Sequence, residues 1–125
     1  MLIQNNRFLA WMPPLTWLIL TTVVSVLPGV QMPQFNLFAI DKLGHALAYA
    51  GLTGLSWWAL RRLHARAPTF REGLLLFCFA AGYGALMEFV QGHFLPGRFF
   101  ELDDMLANNF GAATAWLLCY WQLRN

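Results

Sequence analysis

The chain has 125 residues and a mass of 14.2 kDa, room for one domain at most. Hydrophobic types make up 58% of it and charged types 11%, against roughly a quarter charged in an ordinary soluble domain. With a net charge of only +2 and two cysteines that lack metal-ligand spacing, this composition excludes a disordered tail, a disulfide scaffold and a nucleic-acid module, and it argues against a cytosolic enzyme. The expectation is an integral membrane protein.

Crossing the hydrocarbon of a bilayer takes roughly 20 apolar residues, and four segments come close. The first, residues 8–27, carries Pro13 and Pro14, placed in its first turn where a missing N–H costs least. Its length and the poor cleavage match at Ser25-Val26-Leu27-Pro28 read as a retained helix, not a removed leader. The stretch from Pro28 to Ile40, with Phe35, Leu37 and Phe38, is expected to lie along the outer interface. The second span, residues 42–60, ends at Arg61 and Arg62; with His64 and Arg66 these suit anionic lipid at the inner face. The third and fourth spans cover residues 72–93 and 104–123. Trp11, Trp57, Trp58, Trp116 and Trp121 fall near span ends and read as an aromatic belt.

Orientation follows from the basic residues. Arg7, Arg61, Arg62, Arg66, Arg71 and Arg124 flank the N-terminus, the second connection and the C-terminus, leaving Lys42 and Arg98 on the other side. The sequence therefore predicts an all-α fold over residues 1–125: one integral membrane bundle of four antiparallel transmembrane helices, with both termini cytoplasmic. The acids run opposite to the arginines. Asp41, Glu88, Glu101, Asp103 and Asp104 gather toward the outer face.

The spacing of polar residues predicts that they converge there. Asp41 and His45, four apart, share a helical face, as do Glu88 and Gln91, three apart; Asp104 precedes Asn108 by one turn. Lys42 and Arg98 supply cations at the same depth. Gly44, Gly84 and Gly111 lie on the same faces and read as helix-packing positions, because small residues let backbones approach closely in lipid. Asp41 is expected to cap the second helix, and Asp103 or Asp104 the fourth. A charge in hydrocarbon costs somewhere between about 3 and 17 kcal/mol, so Glu88 needs Lys42, His45 or Arg98 as a partner, and Asn108 needs a hydrogen bond.

Asp41-Lys42-x-x-His45, Glu88-x-x-Gln91, Pro96-Gly97-Arg98 and Asp104-x-x-x-Asn108-x-x-Gly111 together resemble the motif series of the VanZ-like family. Ser25-Val26-Leu27-Pro28 is similar to that family's pattern more weakly, and Phe99-Phe100-Glu101 departs from it, so no role is carried over to position 101. The resemblance implies a small bacterial multi-pass protein of the cytoplasmic membrane, from a family named for a member associated with low-level teicoplanin resistance. It implies no general biochemical activity.

Three functions stay open at the level of sequence. A binding module would hold an anionic lipid or a polyprenyl-phosphate head group, with Arg98 and Lys42 on phosphate and Gln91 and Asn108 orienting neighbouring groups. The acid excess opposes this unless several carboxylates are protonated or capped. An enzyme would use His45 and Glu88 as acid and base, or His45, Glu88 and Asp104 around a divalent ion. No close His or Cys pair supports a metal, so none is assigned and no cofactor is expected. An accessory protein would use the cluster to fix the fold and leave the work to a protein partner; no nucleic acid is implied, and homo-oligomerisation stays open.

Overall fold

A computed structural model describes residues 5–27 and 37–123, with side chains over 7–27 and 39–123. Four helices and no strands occur among the described residues: α1 (Asn5–Val26), α2 (Leu37–His64), α3 (Phe70–Phe94) and α4 (Leu102–Gln122). The helices cover the four expected segments, beginning two to five residues earlier, with α2 and α3 also ending later and α1 and α4 one residue short. Residues 28–36, where an interfacial segment with Phe35 is expected, lie outside the described residues. Leu37 to Ile40 form the first turn of α2.

Because α1 begins at Asn5, Pro13 and Pro14 sit in its third turn, not its first. There they remove the donors for the carbonyls of Leu9 and Ala10. The helix continues through them, with Ala10 and Pro14 turned inward and Leu15, Ile19, Leu20, Val23 and Val24 outward. Its hydroxyls are satisfied locally. Thr21 and Thr22 donate to the Leu18 carbonyl and Ser25 donates to that of Thr21, as needed where water is scarce. Trp17 ties α1 to α2: its indole N–H donates to the Ala48 carbonyl at 2.7 Å, and the ring fills the space left by Gly51.

α3 starts with a reciprocal cap. Thr69 Oγ1 accepts from the Glu72 amide while Glu72 Oε2 accepts from the Thr69 amide. Arg66 then grips Glu72 with two hydrogen bonds of 2.9 and 2.8 Å, closing the loop from α2. The other two predicted caps are corrected. Asp41 lies in the second turn of α2, one turn past its start. Glu101 occupies the N-cap position of α4 without a side-chain capping bond, and Asp103 and Asp104 follow inside the first turn.

α2 is the central element and packs most extensively on α4; α1 and α4 do not touch among the described residues. Tyr49, Leu52, Ala80 and Ala112 form the middle of the core. At the arginine-rich end Trp57 and Trp116 are buried, 2% and 8% exposed, against Gly73. These two indoles are core residues, which corrects the aromatic-belt reading for them; Trp58 and Trp121 remain exposed. The helices present Phe8, Leu47, Phe79, Phe110 and Leu118, among others, on the outside of the bundle.

Candidate functional site

The site is built where the first turns of α2 and α4 meet the last turns of α3. α2 and α4 approach so closely there that a Cβ on Gly111 would collide with the Ala46 backbone carbonyl. That contact carries His45, beside Ala46, toward Asn108, one turn before Gly111. His45 Nδ1 and Asn108 Oδ1 are 3.0 Å apart. Gly84 of α3 leaves the room that Asn108 fills, since a Cβ at position 84 would stand 3.0 Å from Asn108 Nδ2.

Charge is concentrated on the outward side of this pair. Lys42 Nζ bonds Asp104 Oδ1, lies 3.0 Å from Glu101 Oε2, and is 3.6 Å from Asp41 Oδ2. His45 Nε2 faces Asp104 Oδ2 at 3.4 Å and Asp41 Oδ1 at 3.8 Å. Glu88 approaches His45 from beneath, with Oε1 4.0 Å from Nδ1. Glu88 and Asn108 are each 1% exposed and Asp104 is 7% exposed. Burying carboxylates is costly unless charge and hydrogen bonds compensate, and here Lys42 supplies both to Asp104. Four carboxylates, Asp41, Glu88, Glu101 and Asp104, therefore surround one lysine and one histidine.

Glu101 has no counterpart among the expected site residues. The α3–α4 connection folds back over Gly92, where a Cβ would stand 2.8 Å from the Phe100 amide. The fold-back brings the Glu101 amide to 3.5 Å from Glu88 Oε2 and its carboxylate onto Lys42. The one sequence signal for it is an acid at the threshold of α4, next to Asp103 and Asp104.

Six of the eight expected residues thus meet: Asp41, Lys42, His45, Glu88, Asp104 and Asn108. Two do other work. Gln91 Nε2 donates to the Ser25 carbonyl at 2.8 Å, and an Arg98 guanidinium N–H donates to the Leu27 carbonyl at 3.0 Å. Both satisfy orphan carbonyls at the end of α1 and fasten that end to α3 and its following turn. The structure thus places Arg98 at the end of α1, apart from the other cation of the expected site, Lys42. Gly97 makes the turn before it, with φ of +76°, a conformation that glycine adopts without strain. Among the packing glycines, Gly84 and Gly111 lie at helix contacts. Gly44 is exposed, and a Cβ there would meet nothing within 4 Å among the described residues, so its packing role is corrected too.

Three side chains, Asp41, His45 and Asp104, offer ligand atoms lying within 4.8 Å of one another. The trio of His45, Glu88 and Asp104 considered from sequence does not converge in that way, because Glu88 meets the opposite ring nitrogen.

These features define an all-helical protein with a charged cluster sunk in one end of its bundle and two helices, Arg7–Val26 of α1 and Phe70–Phe94 of α3, long and apolar enough to cross a membrane. The family model of VanZ/LLP1 matches residues 3–123, and the chain belongs to that family. No curated protein and no solved structure is significantly similar to it.

Proposed function

We propose that the chain is a four-span protein of the bacterial inner membrane, with both termini cytoplasmic, and that its charged cluster binds the head group of an anionic lipid or polyprenyl-phosphate carrier at the outer interface. The role would lie in the cell envelope, including tolerance of glycopeptides of the teicoplanin kind. For the spans, the support is the surface of α2 and α4. Residues 43–60 and 105–122 hold no Asp, Glu, Lys or Arg, and Leu43, Leu47, Leu106, Phe110, Leu117 and Leu118 are exposed. A contiguous apolar girdle of this kind is not tolerated in water.

One observation carries the binding reading: Lys42, His45, Glu88, Asp104 and Asn108 gather at one level of the bundle, with exposed Asp41 at their edge. Ionisable groups so placed in a membrane protein are functional by default. With Lys42 shared among three carboxylates and Arg98 engaged at α1, the cluster favours a phosphate that arrives with a countercation. The test is titration of polyprenyl phosphate into protein reconstituted in nanodiscs. Saturable binding, weakened by Asp104→Asn and absent for a neutral polyprenol, is expected. Equal retention of both lipids would contradict the reading, and release of inorganic phosphate would replace it with an enzyme.

A second reading rests on Lys42 itself. Its three carboxylate neighbours come from α2, the N-cap of α4 and the first turn of α4, which suits an internal clamp serving a partner protein. Under that reading no lipid discriminates between wild type and Asp104→Asn.

A further inference from the structure

We propose that Asp41, His45 and Asp104 form a binding site for one divalent transition-metal ion, of the Zn2+ or Mn2+ kind, open to the outside of the bundle. Geometry comes first. Bonds of about 2.0–2.2 Å from such an ion to nitrogen and oxygen put neighbouring ligand atoms roughly 3.0–3.6 Å apart. His45 Nε2 stands 3.4 Å from Asp104 Oδ2, inside that range, and 3.8 Å from Asp41 Oδ1, just beyond it, and the three ligand atoms lie within 4.8 Å of one another. Asp41 and His45 come from successive turns of α2, and Asp104 comes from α4, locked against α2 at Gly111.

The hydrogen bonding of His45 points the same way. An amide oxygen only accepts, so Asn108 Oδ1, 3.0 Å from Nδ1, fixes the ring proton on that nitrogen. Nε2 is then the ring nitrogen turned to two carboxylate oxygens. Three potential ligand atoms converge there, an arrangement that a cation completes. Glu88 Oε1, 4.0 Å from Nδ1, backs the ring from the far side, as partners behind metal-bound histidines do by orienting the ring and raising its basicity.

Lys42 does not occupy this position. It engages Asp41 through Oδ2 and Asp104 through Oδ1, leaving the opposite oxygen of each carboxylate turned to His45. Three carboxylates, Asp41, Glu101 and Asp104, share one ammonium, an excess that a dication would offset. The Asp41 side chain is 55% exposed, providing an entry and open coordination positions. One imidazole with two carboxylates suits Zn2+ or Mn2+ better than Mg2+ or Ca2+, which take oxygen ligands. An open position on the ion would accept a phosphate oxygen; this last step rests on the head-group reading above, whereas the ion site stands without it.

The experiment uses the full chain in neutral detergent, stripped of metal and free of added lipid, titrated with Zn2+ by calorimetry and with Mn2+ by electron paramagnetic resonance. Binding of one equivalent of either ion is expected, with Mg2+ failing to compete. His45→Ala and Asp104→Asn should weaken it by more than the roughly 10–100-fold typical of losing an outer partner, and His64→Ala at the far end should leave it unchanged. Asp41→Asn, at an exposed position, must also weaken it, which keeps the test intact if a buried substitution fails to fold. No saturable binding, binding indifferent to all three substitutions, or a His45 ring protonated on both nitrogens with excess Zn2+ present would overturn the site. Polyprenyl phosphate is then added with and without Zn2+. Ion binding without ion-dependent phosphate binding would leave the site standing and overturn only its link to the head group.

Discussion

Gly111 of α4 lies against the backbone carbonyl of Ala46 in α2 so tightly that no side chain fits between them. The contact sits one turn from Asn108 and one residue from His45, so the 3.0 Å bond between those two side chains depends on it. Gly111→Ala should force the helices apart and destabilise the protein by about 1–3 kcal/mol, the usual range for overpacking. Thermal unfolding in detergent measures the loss, and the nitrogen chemical shifts of His45 should move with it. A methyl group tolerated at full stability would mean that the two helices do not meet at this point.

The glycines separate into those that pack and those that do not. Gly73→Ala should lower stability by a similar amount, because its methyl would run into the buried rings of Trp57 and Trp116. Gly44→Ala should be neutral or slightly stabilising, since position 44 is exposed and helical and alanine is the better helix former by about 1 kcal/mol. The same unfolding assay ranks the three variants, and equal losses at positions 44 and 73 would contradict the packing described here.

Gln91 and Arg98 belong to the attachment of α1. Gln91→Ala leaves the Ser25 carbonyl without its donor, at a cost of about 1–3 kcal/mol if that carbonyl stays buried. Hydrogen exchange should accelerate in the last turn of α1 for Gln91→Ala and for Arg98→Ala, with protection around His45 and Asn108 unchanged. Coupled loss of protection at both places would return these two residues to the cluster.

Much of the fold was legible because its signals are local. Apolar runs bounded by Arg61-Arg62, Pro68-Thr69 and Pro96-Gly97 mark four helices, and the i,i+4 pair of Asp41 and His45 with the Asp104 and Asn108 pair marks facing surfaces. What stayed hidden depends on which neighbour a face meets. Spacing alone puts Gln91 beside Glu88, but the direction from α3 toward α1 is set by tertiary packing, and there Gln91 finds Ser25. By sequence Trp57 and Trp116 fit a belt, because indole suits an interface and a core equally; only Gly73, opening a space in the facing helix, decides for the core. Glu101 enters the cluster through a loop that folds over Gly92, a path that no helical period encodes.

The orientation proposed for the bundle has its own check. In a background lacking Cys78 and Cys119, a cysteine at exposed Pro96 should react with an impermeant maleimide added to intact cells, and one at exposed Ala67 should react only after lysis. The reverse pattern would invert the topology and move the cluster to the cytoplasmic interface.

The most direct measurement of the central claim, that the cluster is a ligand site and not an internal clamp, is native mass spectrometry of the protein extracted from its own membrane. Wild type should carry a phosphate-bearing lipid that Asp104→Asn and Asp41→Asn lose while remaining folded. Identical lipid adducts on all three proteins, or none on any, would contradict it.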